Sequence, residues 1–167
     1  IKTLTKVKIP NKVNKINKNV FRESSLSEVT IPDSVKTIGE GAFQNIKTLT
    51  KVTIGKNVDC IDDYAFSETN LENVVIPNSV ETISNEAFSK CTNLENVTIG
   101  NKVKTIGTGA FSETSLSEVI IPDSVETIGK NAFQNIKTLT NVKIGNNIKI
   151  IGADAFRDTS LTKVVIP

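Results

Sequence analysis

Leu4, Leu26, Leu49, Leu71, Leu94, Leu116, Leu139 and Leu161 recur at spacings that alternate between 22 and 23 residues. A fixed period of this length is the mark of a solenoid, in which each unit is too small to bury a core and does so only by stacking on its neighbours. Around each leucine the order is L-x-x-V-x-I, then Pro or Gly, then V-x-x-I, a polar turn, and Ala-Phe. In the second unit these positions are Leu26, Val29, Ile31, Pro32, Val35, Ile38, Ala42 and Phe43. The extra residue of alternate units falls just after the phenylalanine, where "QNIKT" and "SKCTN" replace the shorter "SETN", "SETS" and "RDTS". The true repeat is therefore a 45-residue pair, in which Pro32, Pro77 and Pro122 alternate with Gly55, Gly100 and Gly145. Ile46, Cys91 and Ile136, three residues after Phe in the longer units, are expected to point inward.

Each column has a physical job. Apolar β-branched residues at alternate positions, such as Val29 and Ile31, predict a short half-buried strand with its intervening side chains outward. The following Pro cannot donate to a ladder, and Gly admits dihedrals that a strand does not use, so either one ends it. The three-residue step from Val35 to Ile38 does not suit a flat strand, so a second strand there should be bent or very short. Ala-Phe then supplies a small residue for close backbone approach beside a large one that fills the core. All seven phenylalanines share one column, and Tyr64 is the single aromatic outside it.

Thirty-eight per cent apolar content over 167 residues is enough for a real core. Twenty basic and eighteen acidic residues give an overall field too weak to recommend nucleic acid or an anionic membrane as partner. No apolar run approaches the ~20 residues that span a bilayer, and the N-terminus lacks a signal-peptide pattern. The chain starts at Ile1, contains no Met, and stops at "VVIP", a phrase whose earlier copy runs on into "NSVETI". Residues 1–167 are accordingly read as a single solenoid of about seven units plus a partial one, excised from a longer protein.

With these columns in place, "LSEVIIPDSVETIGKNAF" resembles the BspA-type leucine-rich repeat, over essentially the whole chain. The first unit departs from the pattern: in "NKVNKINKNVF", Asn17 stands where Gly often sits and Val20 where Ala sits, which suits a modified or capping unit. The asparagine of ordinary leucine-rich repeats is replaced by residues such as Ser34 and Lys102, so no asparagine ladder is assumed there. The resemblance implies a curved stack with a parallel β-sheet on its concave face, short second strands, and turns or short helices around Ala-Phe. It also implies an exported or cell-surface protein of adhesion type, binding host or matrix protein.

The chain has no histidine, which excludes Ser-His-Asp and Cys-His machinery and the helical zinc motifs. Two cysteines cannot make a four-thiolate zinc site. Cys91 takes the place of the inward Ile46 and Ile136, while Cys60 replaces threonines such as Thr37 and Thr82, so a disulfide between such unlike columns is not expected. The acids Glu28 and Glu118 lie four units apart, about 19 Å at one strand spacing per unit, too far for a glycosidase pair. Asp62-Asp63 beside Tyr64 lacks calcium-loop spacing and reads as a solvated turn. The paired glycines of "GEGAF" and "GTGAF" are turns without a phosphate-binding fingerprint. Asn96-Val97-Thr98 is a glycosylation sequon placed on a strand, meaningful only in a eukaryotic source. No catalytic residue, cofactor or metal is expected.

Variation concentrates in the outward strand positions: Lys6 and Lys8, Glu28 and Thr30, Lys51 and Thr53, Asn73 and Val75, Asn96 and Thr98, Glu118 and Ile120, Asn141 and Lys143, Lys163 and Val165. This polar surface has no aromatic platform and suits a protein partner better than a carbohydrate or a nucleic acid. A second column, Lys36, Asp59, Glu81, Lys104, Glu126 and Lys149, places opposite charges side by side at most steps and reads as a cross-strand ladder that fixes register. The expectation is a non-enzymatic binding module, with a passive spacer, or an accessory domain of an enzyme outside this segment, as alternatives.

Overall fold

The computed structural model describes residues 2–166; Ile1 and Pro167, the proline of the final "VVIP", lie outside the described residues. Two sets of parallel strands run along the stack. Three-residue strands come from L-x-x-V-x-I: β2 (Glu28–Thr30), β4 (Lys51–Thr53), β6 (Asn73–Val75), β8 (Asn96–Thr98), β10 (Glu118–Ile120) and β12 (Asn141–Lys143). Two-residue strands come from V-x-x-I: β1 (Lys15–Ile16), β3 (Thr37–Ile38), β5 (Cys60–Ile61), β7 (Thr82–Ile83), β9 (Thr105–Ile106), β11 (Thr127–Ile128) and β13 (Ile150–Ile151). The third side of each unit is the turn around Phe, and no helix forms among the described residues.

The short strands make the more continuous sheet, seven strands paired in unbroken order from β1 to β13. The longer strands divide into a four-stranded sheet, β2 to β8, and a two-stranded one, β10 and β12. The division follows the 22/23 alternation. Steps of 23 residues pair at all three positions, as in Glu28↔Lys51, Val29↔Val52 and Thr30↔Thr53. Across 22-residue steps, β4 and β6 keep only Lys51↔Asn73, and β8 and β10 do not pair.

Proline over glycine explains this. At the 23-residue steps a Gly stacks on the preceding unit's Pro, and a Cβ on Gly55 would stand 2.5 Å from the Pro32 carbonyl oxygen and 2.7 Å from its carbon. Only glycine permits that approach. It allows the bonds Ile31 N–H···O Thr53 at 2.8 Å, Ile76 N–H···O Thr98 at 2.9 Å and Ile121 N–H···O Lys143 at 2.9 Å. Ile54 and Ile99, which face the 22-residue steps, donate no such bond. Val52 and Val97, on the strands before the open steps, are correspondingly only part-buried, whereas Val29, Val74 and Val119 are buried.

The core is one continuous cluster of Leu, Val, Ile, Ala and Phe columns. The seven phenylalanine rings stack with centroids 5.2 to 5.4 Å apart, and Phe43 through Phe133 are fully buried. Ile46, Cys91 and Ile136 point inward as expected. In the shorter units Thr69 and Thr114 take that position, and their buried hydroxyls donate to the Phe66 and Phe111 carbonyls at 2.9 Å. The Phe turn also bonds from unit to unit: Gly41, Phe43 and Asn45 donate to Asp63, Ala65 and Ser67. To reach that geometry each unit holds two residues at φ near +57°, one on either side of Phe, including Tyr64, Glu86, Lys90 and Asn135. Such conformations cost a non-glycine residue about 1–2 kcal/mol each, so the inter-unit bonds and the ring stack hold them in place.

Candidate functional site

All sixteen outward positions proposed from sequence are solvent-exposed. Twelve lie on the regular strands β2, β4, β6, β8, β10 and β12, where the central valine faces the core and its two neighbours face water. The other four differ: Lys6, Lys8 and Lys163 lie outside regular strands, and Val165 joins Lys143 only through an isolated bridge.

Three features organise this face. Asn96 Nδ2 donates to Asn73 Oδ1 at 2.8 Å, a two-rung amide pair at the face's centre. Val75, Ile120 and Val165, 45 residues apart, are 66%, 61% and 60% exposed, so from β6 onward an apolar side chain stands in the open on every second unit. Val75 and Ile120 sit on β6 and β10, the strands that follow open steps, so exposed methyl groups lie beside incompletely paired strand edges. At the first open step a cleft of about 590 Å³ is bounded by Lys51, Val52, Thr53, Asn73, Val75 and Pro77.

The charge column forms in part. Lys104 Nζ meets Glu81 at 2.9 Å and Lys149 Nζ meets Glu126 at 2.7 Å. These lysines hold both carboxyls below their ordinary range, first by hydrogen bonding and then by charge. Lys36 makes no such pair with Asp59 among the described residues; the other inter-unit pairs are Lys18–Glu40, Lys47–Glu68, Lys56–Asp33 and Lys137–Asp158. Sequence reasoning missed a polar ladder one position after Pro and Gly. Asp33, Asn78 and Asp123 each accept the backbone N–H of the residue one unit ahead, at 2.8 to 3.0 Å. The signal was present in the alternation of Asp or Asn with Lys or Asn in that column.

The remaining chemical candidates are engaged locally. Tyr64 Oη donates to Glu86 Oε1 at 3.2 Å, and that carboxylate raises the phenol's pKa. Asp63 accepts the Asn85 N–H at 2.8 Å, and Asp62 accepts from Cys60 Sγ at 3.4 Å. Burial pushes the Cys91 thiol up to about 11; burial, then the Asp62 hydrogen bond, does the same for Cys60. Both cysteines are free, and at neutral pH both are protonated and poor nucleophiles. Among the described residues no cluster of His, Cys, Asp and Glu could hold a metal, and no helix is long and apolar enough to cross a membrane.

The profile of a family described as "BspA type Leucine rich repeat region (6 copies)" matches residues 1–69 and 59–167. A comparison with curated protein sequences finds no match. Among solved structures, a leucine-rich repeat protein from Bacteroides ovatus is similar at 25% identity and a TM-score of 0.71, covering 93% of this chain and 47% of that one. A leucine rich cell surface protein from Faecalibacterium prausnitzii is similar at 28% identity and 0.57, covering 92% and 51%. The T. pallidum leucine rich repeat protein is similar at 28% and 0.77, covering 84% and 67%. The chain thus spans about half the length of the first two relatives.

Proposed function

The chain belongs to the BspA-type leucine-rich repeat family, and from that premise we propose that it is a non-enzymatic binding module of an exported or cell-surface protein. Residues 1–167 act as one solenoid and engage a protein partner through the face of the three-residue strands. The observation that carries this reading is the stripe of Val75, Ile120 and Val165, exposed on a face that is otherwise polar. Isolated apolar groups on a surface are ordinary, but a row at regular spacing on a polar face offers a partner repeated methyl contacts in a fixed register. The Asn73–Asn96 pair and Lys51 supply polar contacts around it. A host matrix or cell-surface protein is the partner class that the family resemblance suggests.

Biolayer interferometry against a panel of purified matrix proteins and intact cells tests this. One variant carries Val75→Asp and Ile120→Asp, and a second carries Ala at Lys51, Asn73, Asn96 and Asn141. Binding that persists undiminished in both variants rules out this face. A rigid spacer is the second reading, favoured by the inter-unit hydrogen bonds on all three sides, and a panel without a binder supports it.

A further inference from the structure

The near-neutral total conceals a polarised charge distribution. Seven of the twenty basic residues and none of the eighteen acidic ones lie in residues 1–22, which leaves thirteen basic against eighteen acidic residues in the rest. The departures of the first unit from the repeat are this same feature. In "NKVNKINKN", residues 11–19, Val13 and Ile16 point toward the core, and between them the exposed pairs Asn11-Lys12, Asn14-Lys15 and Asn17-Lys18 recur every third residue. The segment is held in a fixed shape: β1 pairs with β3 through Lys15↔Thr37 and Ile16↔Ile38, and the Asn14 carbonyl accepts the Lys36 N–H at 2.8 Å. Lys18 is paired with Glu40 at 2.7 Å, whereas Lys6, Lys8, Lys12 and Lys15 have no carboxylate within ion-pair distance among the described residues.

We propose that the Asn-Lys segment 11–18, together with Lys6 and Lys8, is a docking site for a sulfated polysaccharide chain of the glycosaminoglycan class. Charge complementarity supplies the attraction, because lysines without acidic partners gain an anion without first giving up an ion pair. Lysines act as point charges that sulfate groups satisfy without the bidentate geometry arginine would impose. The interleaved asparagine amides offer a donor and an acceptor to sugar hydroxyls. A nucleic acid fits less well, since the unit's one aromatic, Phe21, is stacked on Phe43 at 5.2 Å and offers no platform for a base. An anionic bilayer also fits less well. The basic groups occupy two sides of the unit and the turn between them, which a chain can follow and a flat surface cannot. Ile9 and Ile16 are turned inward, and Val20 alone among the unit's described large apolar side chains is exposed, at 39%, which is too little for insertion.

The test is titration of the whole chain with a size-fractionated heparin oligosaccharide over a range of salt. The variant Lys8→Gln/Lys12→Gln/Lys15→Gln should lose at least about tenfold in affinity and show a salt slope shallower by about two to three. A control, Lys90→Gln/Lys102→Gln/Lys130→Gln, removes the same charge from exposed lysines in other units and should bind as the parent does. Urea unfolding midpoints of both variants establish that they are folded. Four results overturn the proposal: no heparin binding at low salt, equal losses in the two variants, equally tight binding of desulfated heparin, or equally tight binding of single-stranded DNA or phosphatidylserine vesicles.

Discussion

Gly55→Ala tests the account of why the repeat is a 45-residue pair. The new Cβ would sit 2.5 Å from the Pro32 carbonyl oxygen, 2.7 Å from its carbon and 2.9 Å from the Asp33 nitrogen, where ordinary contacts begin near 3.4 Å. All three are backbone atoms, so no side chain can swing aside. Relief requires the β2–β4 step to open by about 0.9 Å, the difference between 2.5 and 3.4 Å, which would stretch the 2.8 Å bond from Ile31 N–H to Thr53 past hydrogen-bonding range. Losing one or two ladder bonds at about 1 kcal/mol each, with loosened packing around Val29 and Val52, gives a destabilisation of about 2–3 kcal/mol. Urea unfolding followed by far-UV circular dichroism reads this as a lower midpoint, and Gly100→Ala, which stacks on Pro77 in the same way, should match it. Pro77→Ala is the internal contrast. Pro77 borders an open step on its other side, and its replacement leaves the carbonyl beneath Gly100 in place, so it should cost only the loop-entropy difference of about 0.4–1 kcal/mol. If Gly55→Ala and Gly100→Ala cost no more than Pro77→Ala, close approach at the 23-residue steps is not what sets the pairing.

Substitutions in the left-handed columns should act with opposite signs. Asn135→Val places a β-branched residue at φ 59° and should cost about 1–2 kcal/mol, whereas Lys90→Gly at φ 57° should gain up to about 1 kcal/mol, both read as shifts in the thermal midpoint. Acid should weaken the stack through Asp33, Glu81 and Glu126. Their folded pKa values lie below the ordinary 3.8 to 4.5, so their stabilisation is present above that range and is lost as pH falls through the folded values. A melting series from pH 7 to pH 2 should show this, and Glu81→Gln/Glu126→Gln should flatten the curve. Thiol-reagent kinetics at pH 7 to 9 should show Cys60 and Cys91 reacting far more slowly than a free cysteine, with urea restoring the rate, because both thiols are pushed up to about 11 in the folded protein.

The sequence carried the stack itself because stacking acts on every unit alike. A leucine column, a phenylalanine column and V-x-I triplets can satisfy one another only in register, so strand positions, inward residues and the ring stack were all legible. What escaped was whatever depends on the distance between particular neighbours. The two-residue strands form the unbroken sheet because the residue after each one donates its N–H to the unit before at 2.8 to 2.9 Å, whether it is Gly39, Gly107 or Gly129, or Asp62 or Ser84. From sequence those glycines read only as turns. The left-handed residues were hidden for a related reason: Tyr64, Glu86 and Lys90 have no intrinsic preference for φ near +57°, and they adopt it because the neighbouring units bond to the backbone in that shape. The charge column was half legible, since Lys36 and Asp59 have the right signs while pairing depends on where long side chains settle.

The candidate face and the fold's main irregularity have one origin. A uniform repeat would pair every three-residue strand with both neighbours and leave no position distinguished from the next. Alternating Pro with Gly closes one step and opens the following one, so the strand after each open step is incompletely paired, and Val75 and Ile120 are on those strands. Thr30 occupies the same column on β2 and is polar, so apolar character at this position is not demanded by stacking. Side chains that stacking does not require are the ones a binding surface is free to specify. On this reasoning Ile120→Thr, which copies Thr30, should leave the urea midpoint within about 0.5 kcal/mol of the parent while weakening any partner held on this face. A large stability loss would instead make Ile120 part of the scaffold.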